Sequence, residues 1–107
     1  MNRRTIASIA VLALVLAVPA FAAPDGAALY KTKCASCHAA DGSGSTPAGK
    51  AMKVVDLRSD PVQKQADLEL TKVIAGGKGK MPAFGKQMST ADIQAVIAFI
   101  RTLKPAK

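Results

Sequence analysis

The two cysteines and the single histidine of this 107-residue chain lie in one pentapeptide, Cys34-Ala35-Ser36-Cys37-His38. The spacing C-x-x-C-H is a known signature of covalent haem attachment. Two thiols three residues apart lie on one face of a helical turn, where they match two neighbouring vinyl groups of a porphyrin. The imidazole of His38 would then lie against the iron as an axial ligand. The motif therefore predicts one haem c, bound through Cys34 and Cys37, around which a small chain must pack.

Other uses of the same pentapeptide fit less well. A thioredoxin-type dithiol requires its C-x-x-C motif at the junction of a strand and a helix, whereas the approach, residues 26–33, is rich in helix formers. Structural zinc sites use four Cys or His ligands, and this chain contains three. A disulfide between Cys34 and Cys37 would leave His38 without a role. Haem attachment is favoured, and dithiol redox chemistry is the alternative.

The N-terminus has the features of a secretory signal. Arg3 and Arg4 precede an uncharged apolar stretch over residues 6–18, and Ala20-Phe21-Ala22 fits a cleavage site. The stretch is shorter than the ~20 residues that span a bilayer, so an uncleaved membrane anchor is the less favoured alternative. We expect residues 1–22 to be a cleavable signal peptide and residues 23–107 to be one domain. That domain would begin at Ala23 or Pro24, would be exported to the periplasm or an equivalent space, and would not insert stably into the membrane.

Basic residues dominate the part of the chain that remains. The full sequence contains 15 Lys and Arg against 7 Asp and Glu, and only Arg3 and Arg4 leave with the signal. Such a charge attracts acidic partners and speeds encounter at low salt. No nucleic-acid recognition motif accompanies it, so we expect no nucleic-acid partner.

Helical patterns account for the whole exported segment, and no stretch predicts a strand. The first expected helix runs from Gly26 into the motif with Asp25 as its N-cap, and a loop follows from Asp41 to Gly49. A second helix is expected with Asp60 as its cap and Pro61 in its first turn. A third helix contains Leu68, Leu70, Val73 and Ile74, ends at Gly76-Gly77 and is followed by a loop from Gly76 to Phe84. The last helix is capped by Ser89 and Asp92 and ends before Pro105, and its apolar stripe consists of Ile93, Val96, Ile97, Ile100 and Leu103. The predicted fold is all-α, with about three to five short helices.

The position opposite His38 on the iron needs a second ligand, and the chain has no second histidine. Met81 is the preferred candidate because it precedes Pro82 in a glycine-rich loop that can fold over a flat cofactor. Met88 lies just before the last helix and is expected to pack in the core. Met52 is expected to line the pocket without reaching the iron. Water or another polar group on the iron is the remaining alternative.

Three motifs together resemble the small, soluble, single-haem class I cytochromes c. They are Gly26-x-x-x-Tyr30, Cys34-x-x-Cys37-His38 and Gly77-x-Gly79-Lys80-Met81-Pro82-Ala83-Phe84-Gly85, followed by a capped last helix with Phe99. The Met81–Gly85 stretch looks especially like the short bacterial and algal photosynthetic members. The resemblance implies that the first and last helices cross at Gly26, with Tyr30 and Phe99 packed at the crossing. It further implies that the Pro47 carbonyl accepts a hydrogen bond from Nδ1 of His38.

These features predict an electron-transfer protein, not an enzyme, which exchanges one electron at a time with redox partner proteins. Lysines around the haem edge would dock weakly on acidic partner surfaces; the candidates are Lys31, Lys33, Lys50, Lys53, Lys78, Lys80 and Lys86. Nothing in the sequence requires more than a monomer. Two rival functions remain: a haem subunit of a larger dehydrogenase or oxidase, and an open-site haem enzyme or gas binder if Met81 is not coordinated.

Overall fold

The computed structural model describes residues 10–17 and 23–104. The predicted basic residues Arg3 and Arg4, the cleavage site at 20–22 and Pro105 lie outside these ranges. Residues 10–17 have no regular secondary structure, and their large apolar side chains are exposed, with Leu12 90% accessible. Within the described residues, no helix has the length and hydrophobicity that crossing a bilayer requires.

The described part of the chain folds into helices joined by loops. In chain order they are α1 (Gly26–Lys33), α2 (Ala35–His38), α3 (Pro47–Met52), α4 (Asp60–Gln63), α5 (Asp67–Gly76) and α6 (Thr90–Thr102). The described residues contain no strand beyond an isolated bridge between Lys78 and Met81, which confirms the all-α prediction. The described residues form six helical segments rather than three to five, because the break at Cys34 separates α2 from α1 and because the six-residue helix α3 lies partly where a loop was expected.

Helix α1 begins as the sequence predicts. The side chain of Asp25 accepts a hydrogen bond from the backbone N–H of Ala28 at 3.1 Å and so caps the first turn. The helix ends at Lys33 because Cys34 leaves helical geometry, with φ at −118°. After that interruption, α2 carries Cys37 and His38 in a separate turn.

The close crossing of α1 and α6 forms the centre of the core. A Cβ on Gly26 would lie 2.0 Å from the carbonyl oxygen of Ala95, so only glycine permits this approach. Tyr30 and Phe99 pack there with ring centroids 4.9 Å apart. The Tyr30 hydroxyl donates to the Ala39 carbonyl at 2.6 Å, and burial raises the pKa of Tyr30 to about 12. The expected crossing, with its glycine and two aromatics, is confirmed.

Helix α6 also agrees with its sequence pattern. Ser89 and Asp92 form both hydrogen bonds of a capping box, each at 3.0 Å. The buried side chains of its apolar stripe are Ile93, Val96, Ile97 and Ile100. Met88 is 4% exposed and belongs to the same core, as predicted.

Two boundaries differ from the sequence prediction. Helix α3 begins at Pro47, inside the segment 41–49 that was expected to be a loop. The cause is Thr46, whose hydroxyl caps the helix by accepting from Gly49 N–H at 3.0 Å, while proline suits the first helical position. Helix α4 includes both Asp60 and Pro61, so the cap position falls on Ser59. The end of α5 at Gly76, with Gly77 as its cap, is as predicted.

Candidate haem-binding site

A cavity of about 730 Å³ lies between α1, α5, α6 and the loops that connect the helices. This volume falls in the range typical of cofactor sites. Its apolar wall includes Tyr30, Leu57, Val62, Leu70, Val73, Ile74, Phe84, Val96 and Ile100. Of the five predicted site residues, Cys34, Cys37, His38 and Met81 line this cavity, and Pro47 does not.

Cys34 forms the break between α1 and α2, and Cys37 lies within α2. The carbonyl of Cys34 accepts hydrogen bonds from the N–H groups of Cys37 and His38 at 3.2 and 2.9 Å, which fixes the turn between the thiols. No disulfide joins the two cysteines. Burial raises the pKa of Cys34 to about 11, so its thiol is protonated at neutral pH.

This arrangement disfavours the alternative uses of the motif. A dithiol oxidoreductase requires a lowered cysteine pKa, which is the opposite of the direction at Cys34. A helix, not a strand, also precedes the motif. Within residues 10–17 and 23–104, no three His, Cys, Asp or Glu side chains come together as a metal site, so the zinc interpretation has no support there.

The imidazole of His38 faces the cavity with one nitrogen unsatisfied. Nδ1 is buried and has no hydrogen-bond partner among the described residues. Burial also lowers the pKa of His38, which favours the neutral ring that can coordinate a metal. The backbone on both sides is held, since His38 N–H donates to Cys34 and the His38 carbonyl accepts from Gly44 N–H at 2.8 Å. A rigidly held, neutral imidazole on an apolar cavity fits an axial ligand.

Pro47 lies elsewhere. It is exposed, occupies the first position of α3 and does not form the predicted bond to His38 in this structure, because Nδ1 of His38 is unpartnered. The neighbouring Thr46, the N-cap of α3, contacts the motif, since its hydroxyl donates to the Ser36 carbonyl at 2.8 Å. A bond from the Pro47 carbonyl in the haem-bound protein stays a prediction.

Met81 is held over the cavity by a tight loop after α5. Lys78 and Met81 exchange backbone hydrogen bonds at 3.2 and 2.9 Å. Gly77 has φ at +76°, and a Cβ there would lie 2.8 Å from the Met81 carbonyl oxygen. The far end of the loop is tied back to α5, because Phe84 N–H donates to the Ile74 carbonyl at 2.9 Å. The glycine and these bonds together fix the backbone that carries Met81.

The other two methionines separate as the sequence suggested. Met52, at the end of α3, lines the cavity and is partly buried. Met88 is part of the core and is not among the residues that line the cavity. Two thioether side chains, Met52 and Met81, therefore share the cavity wall with His38.

Sequence reasoning missed two features of the site. The first is Gly49 in α3, where a Cβ would lie 2.2 Å from the Cys37 carbonyl oxygen, so this glycine lets α3 pack directly on the motif. Because Gly49 lies in a Gly- and Ser-rich segment, the sequence analysis assigned it to a loop. The second is Asp56 on the cavity wall, which accepts two hydrogen bonds from the Arg58 guanidinium at 3.0 and 2.9 Å. The bonds with Arg58 lower the pKa of Asp56 and keep it ionised.

The cavity mouth is basic. Four of the seven candidate lysines, Lys33, Lys53, Lys78 and Lys80, line it. Asp56 is the only acidic residue among the described lining residues, and Arg58 neutralises it. Lys31, Lys50 and Lys86 lie away from the lining.

The site fits haem c by its donors and its walls. Two thiols at thioether spacing, one neutral imidazole and methionine sulfur converge on an apolar cavity with a basic mouth. Imidazole and thioether are the ligands that hold low-spin haem iron in electron-transfer proteins. The residues that would hold the cofactor are thus brought together by the fold.

Comparison with known proteins agrees with this geometry. Residues 21–100 match the sequence model of the family described as cytochrome c oxidase, cbb3-type, subunit III. The chain is 36% identical over 104 residues to cytochrome c6 of Synechococcus sp. (strain PCC 6312), covering 91% of this chain and 90% of that protein. It is 35% identical over 102 residues to cytochrome c6 of Picosynechococcus sp. (strain PCC 7002), covering 87% and 86%.

Solved structures show the same fold. The c-type cytochrome KustC0563 matches with a TM-score of 0.70 and 25% identity, over 76% of this chain and 99% of that one. Cytochrome c6C from Synechococcus sp. PCC 7002 matches with a TM-score of 0.57 and 27% identity, over 73% and 92%. By its sequence, its fold and its cavity, the chain belongs to the class I c-type cytochromes, electron-transfer proteins that hold one haem c covalently.

Proposed function

We propose that this protein is a periplasmic one-electron carrier in which Cys34 and Cys37 bind the haem and His38 and Met81 coordinate its iron. The observation that carries the proposal is the convergence of these four side chains on one apolar cavity. Each thiol forms a thioether by adding across a vinyl group, with its sulfur on one carbon and its hydrogen on the other. The bound haem supplies the redox couple, ferric and ferrous iron.

The chain's own residues set the properties of that couple. The Met81 thioether is a soft ligand that favours ferrous iron and raises the reduction potential relative to a second imidazole. Burial by the apolar wall acts in the same direction, because the ferric state carries the additional charge. With both His38 and Met81 bound to the iron, no open position would remain for a substrate.

The visible spectrum and carbon monoxide binding of the matured protein test this proposal. The protein is coexpressed with haem-maturation machinery and purified after export. It should be red, low-spin when reduced, and slow to bind carbon monoxide. A protein that binds carbon monoxide readily would favour the open-site enzyme or gas binder. A colourless protein from competent cells would contradict the haem assignment itself.

Export of the domain forms part of the proposal. Residues 10–17, from the predicted signal, are exposed and have no regular secondary structure, which fits a segment that the folded domain does not use. The intact mass of the same red protein locates the new N-terminus, expected at Ala23 or Pro24.

The basic cavity mouth supports docking on acidic partners. Lys53, Lys78 and Lys80 are exposed beside the cavity, where their fields would guide a negatively charged partner towards the haem edge. Hexacyanoferrate(III), a small anionic oxidant, serves as the probe. We expect its rate of reduction by the ferrous protein to fall several-fold between low and physiological salt, because screening shortens the reach of these charges.

Lysine variants separate this local effect from net charge. Lys53→Glu and Lys78→Glu should slow the reaction at low salt more than Lys31→Glu and Lys50→Glu, which make the same charge change away from the cavity. If all four variants slowed the reaction equally, a specific role for the lysines beside the cavity would be contradicted, while the haem assignment would remain intact.

A second candidate is a haem subunit of a larger oxidase, which the matched family description favours. The haem chemistry would be the same, and the two candidates differ in assembly. A free carrier migrates through gel filtration of the native extract as a single small chain, whereas a subunit elutes with a large membrane-derived complex.

A further inference from the structure

One wall of the cavity is built from a segment with little regular structure. Residues 57–65 contribute five lining residues, which are Leu57, Ser59, Pro61, Val62 and Gln65. The only helix in this segment is α4, a single turn of four residues. Such a short helix is not stable by itself, and its C-terminal carbonyls have no partner within the helix.

Two carbonyls at the end of this segment are satisfied by one side chain from α6. The Arg101 guanidinium donates to the Gln63 carbonyl at 2.8 Å and to the Gln65 carbonyl. It also lies 3.5 Å from the Val62 carbonyl, which accepts a backbone bond from Gln65 N–H at 3.0 Å as well. It also pairs with Asp67 at the start of α5, at 2.8 and 3.2 Å. The Arg101 side chain is 27% exposed. The guanidinium group of Arg101 therefore joins the last turn of α6 to the end of the 57–65 segment.

A second contact ties the same two elements together. The side-chain amide nitrogen of Gln63, Nε2, donates to the Leu57 carbonyl at 2.7 Å and to the Ile100 carbonyl at 3.2 Å. The apolar residues Leu57 and Val62 are buried on the core side of the segment. Polar contacts to α6 thus fix the outer backbone of the wall, while these two side chains anchor its inner face.

We propose that Arg101 is a positioning residue that holds the 57–65 wall closed against the cavity and so limits the access of water and small ligands to the bound haem. The inference rests on the proposed function, since it assigns a role in tuning the same site. When the wall loosens, water reaches the cavity and stabilises the more highly charged ferric state, which lowers the reduction potential.

The carbonyl contacts, not the ion pair, carry this role. The side chain of Asp67 is 63% exposed, and exposed ion pairs contribute little. The Arg101 fork spans three carbonyls, which the single ammonium of a lysine cannot reach together. Arg101→Lys, which keeps the charge and the aliphatic stem, should therefore behave like Arg101→Ala, whereas Asp67→Asn should behave like wild type.

The test uses the haem-loaded protein and three measurements. Hydrogen exchange monitors the amides of Gln63, Lys64 and Gln65, which donate within or just after α4. Redox titration gives the reduction potential, and stopped flow gives the rate at which imidazole binds the ferric protein. In Arg101→Ala and Arg101→Lys, we expect about tenfold faster exchange at these amides, since bonds to a charged donor are lost, a lower potential and faster imidazole binding.

The matched control is Gln94→Ala. Gln94 also lies on α6 and donates from its side chain to the Thr71 hydroxyl at 2.9 Å, but it does not touch the wall. Gln94→Ala and Asp67→Asn should leave all three readouts unchanged.

Two results would overturn the inference. Exchange that rises equally in α1, α6 and the wall would make Arg101 a contributor to global stability only. A wall that exchanges faster without any change in potential or imidazole binding would remove its role at the haem. Arg101→Lys keeps the test open if Arg101→Ala does not fold. The wild-type protein tests the proposed function separately: that function fails if the wild-type protein is colourless or binds carbon monoxide readily.

Discussion

Replacing Met81 with alanine is expected to open the haem iron to external ligands. The oxidised variant should lose the weak red absorption band of sulfur-to-iron ligation, and the reduced variant should bind carbon monoxide. Its reduction potential should fall by a substantial part of the roughly 0.8 V range over which axial ligands set haem potentials. The loop itself should persist, because its backbone is fixed by the Lys78–Met81 bridge and by the tie from Phe84 to α5.

The other two methionines are the controls for this change. Met52→Ala removes a thioether from the same cavity wall and should leave the band in place. Met88→Ala removes a core side chain that is 4% exposed, and we expect a loss of about 2–5 kcal/mol in unfolding free energy with unchanged ligation. Loss of the band in Met52→Ala, with the band retained in Met81→Ala, would reassign the iron ligand.

The features that the sequence predicted correctly are those encoded by neighbouring residues. The cap at Asp25 and the capping box of Ser89 and Asp92 need only side chains three residues from their partners. The end of α5 at Gly77 follows from a glycine that adopts positive φ. Local chemistry of this kind also places the thiols and imidazole of the motif on adjacent turns.

The features that could not be predicted from the sequence depend on contacts between distant segments. The start of α3 at Pro47 depends on Thr46, whose hydroxyl also bonds the carbonyl of Ser36, ten residues away. Arg101 is 36 residues from Gln65, and nothing in the periodicity of α6 marks it as the partner of a separate wall. Such contacts form only after the helices have packed, so no local pattern records them.

The predicted bond between Pro47 and His38 also depends on distant segments. The family resemblance implies this bond, but only the proline of the family's local pattern is present here. In this structure Pro47 is exposed at the capped start of α3, and Nδ1 of His38 is buried with no partner among the described residues. The bond in the haem-bound protein stays a prediction, since the position of a carbonyl relative to an imidazole depends on the whole path of the chain between them.

Substitution of Gly26 by alanine is expected to destabilise the fold most strongly among single methyl additions at the crossing of α1 and α6. The added Cβ would lie 2.0 Å from the carbonyl oxygen and 2.6 Å from the carbonyl carbon of Ala95. Both atoms are backbone within α6, so relief requires the helices to separate and the Tyr30–Phe99 contact to loosen. We expect unfolding free energy to fall by about 3 kcal/mol or more, at the upper end of the usual cost of overpacking.

Gly76→Ala makes the same chemical change where there is room for it. No atom lies within 4 Å of a Cβ at Gly76, the last residue of α5. That variant should be neutral or gain about 0.4–1 kcal/mol, because alanine loses less backbone entropy on folding. Chemical denaturation of the two haem-loaded variants at one pH compares their free energies of unfolding.

Equal stability of the Gly26→Ala and Gly76→Ala variants would mean that α1 and α6 do not approach as closely as the backbone contact at Ala95 requires. A large loss at Gly26 alone would tie the integrity of the haem pocket to the helix crossing that supports it, since Tyr30 belongs both to that crossing and to the cavity wall.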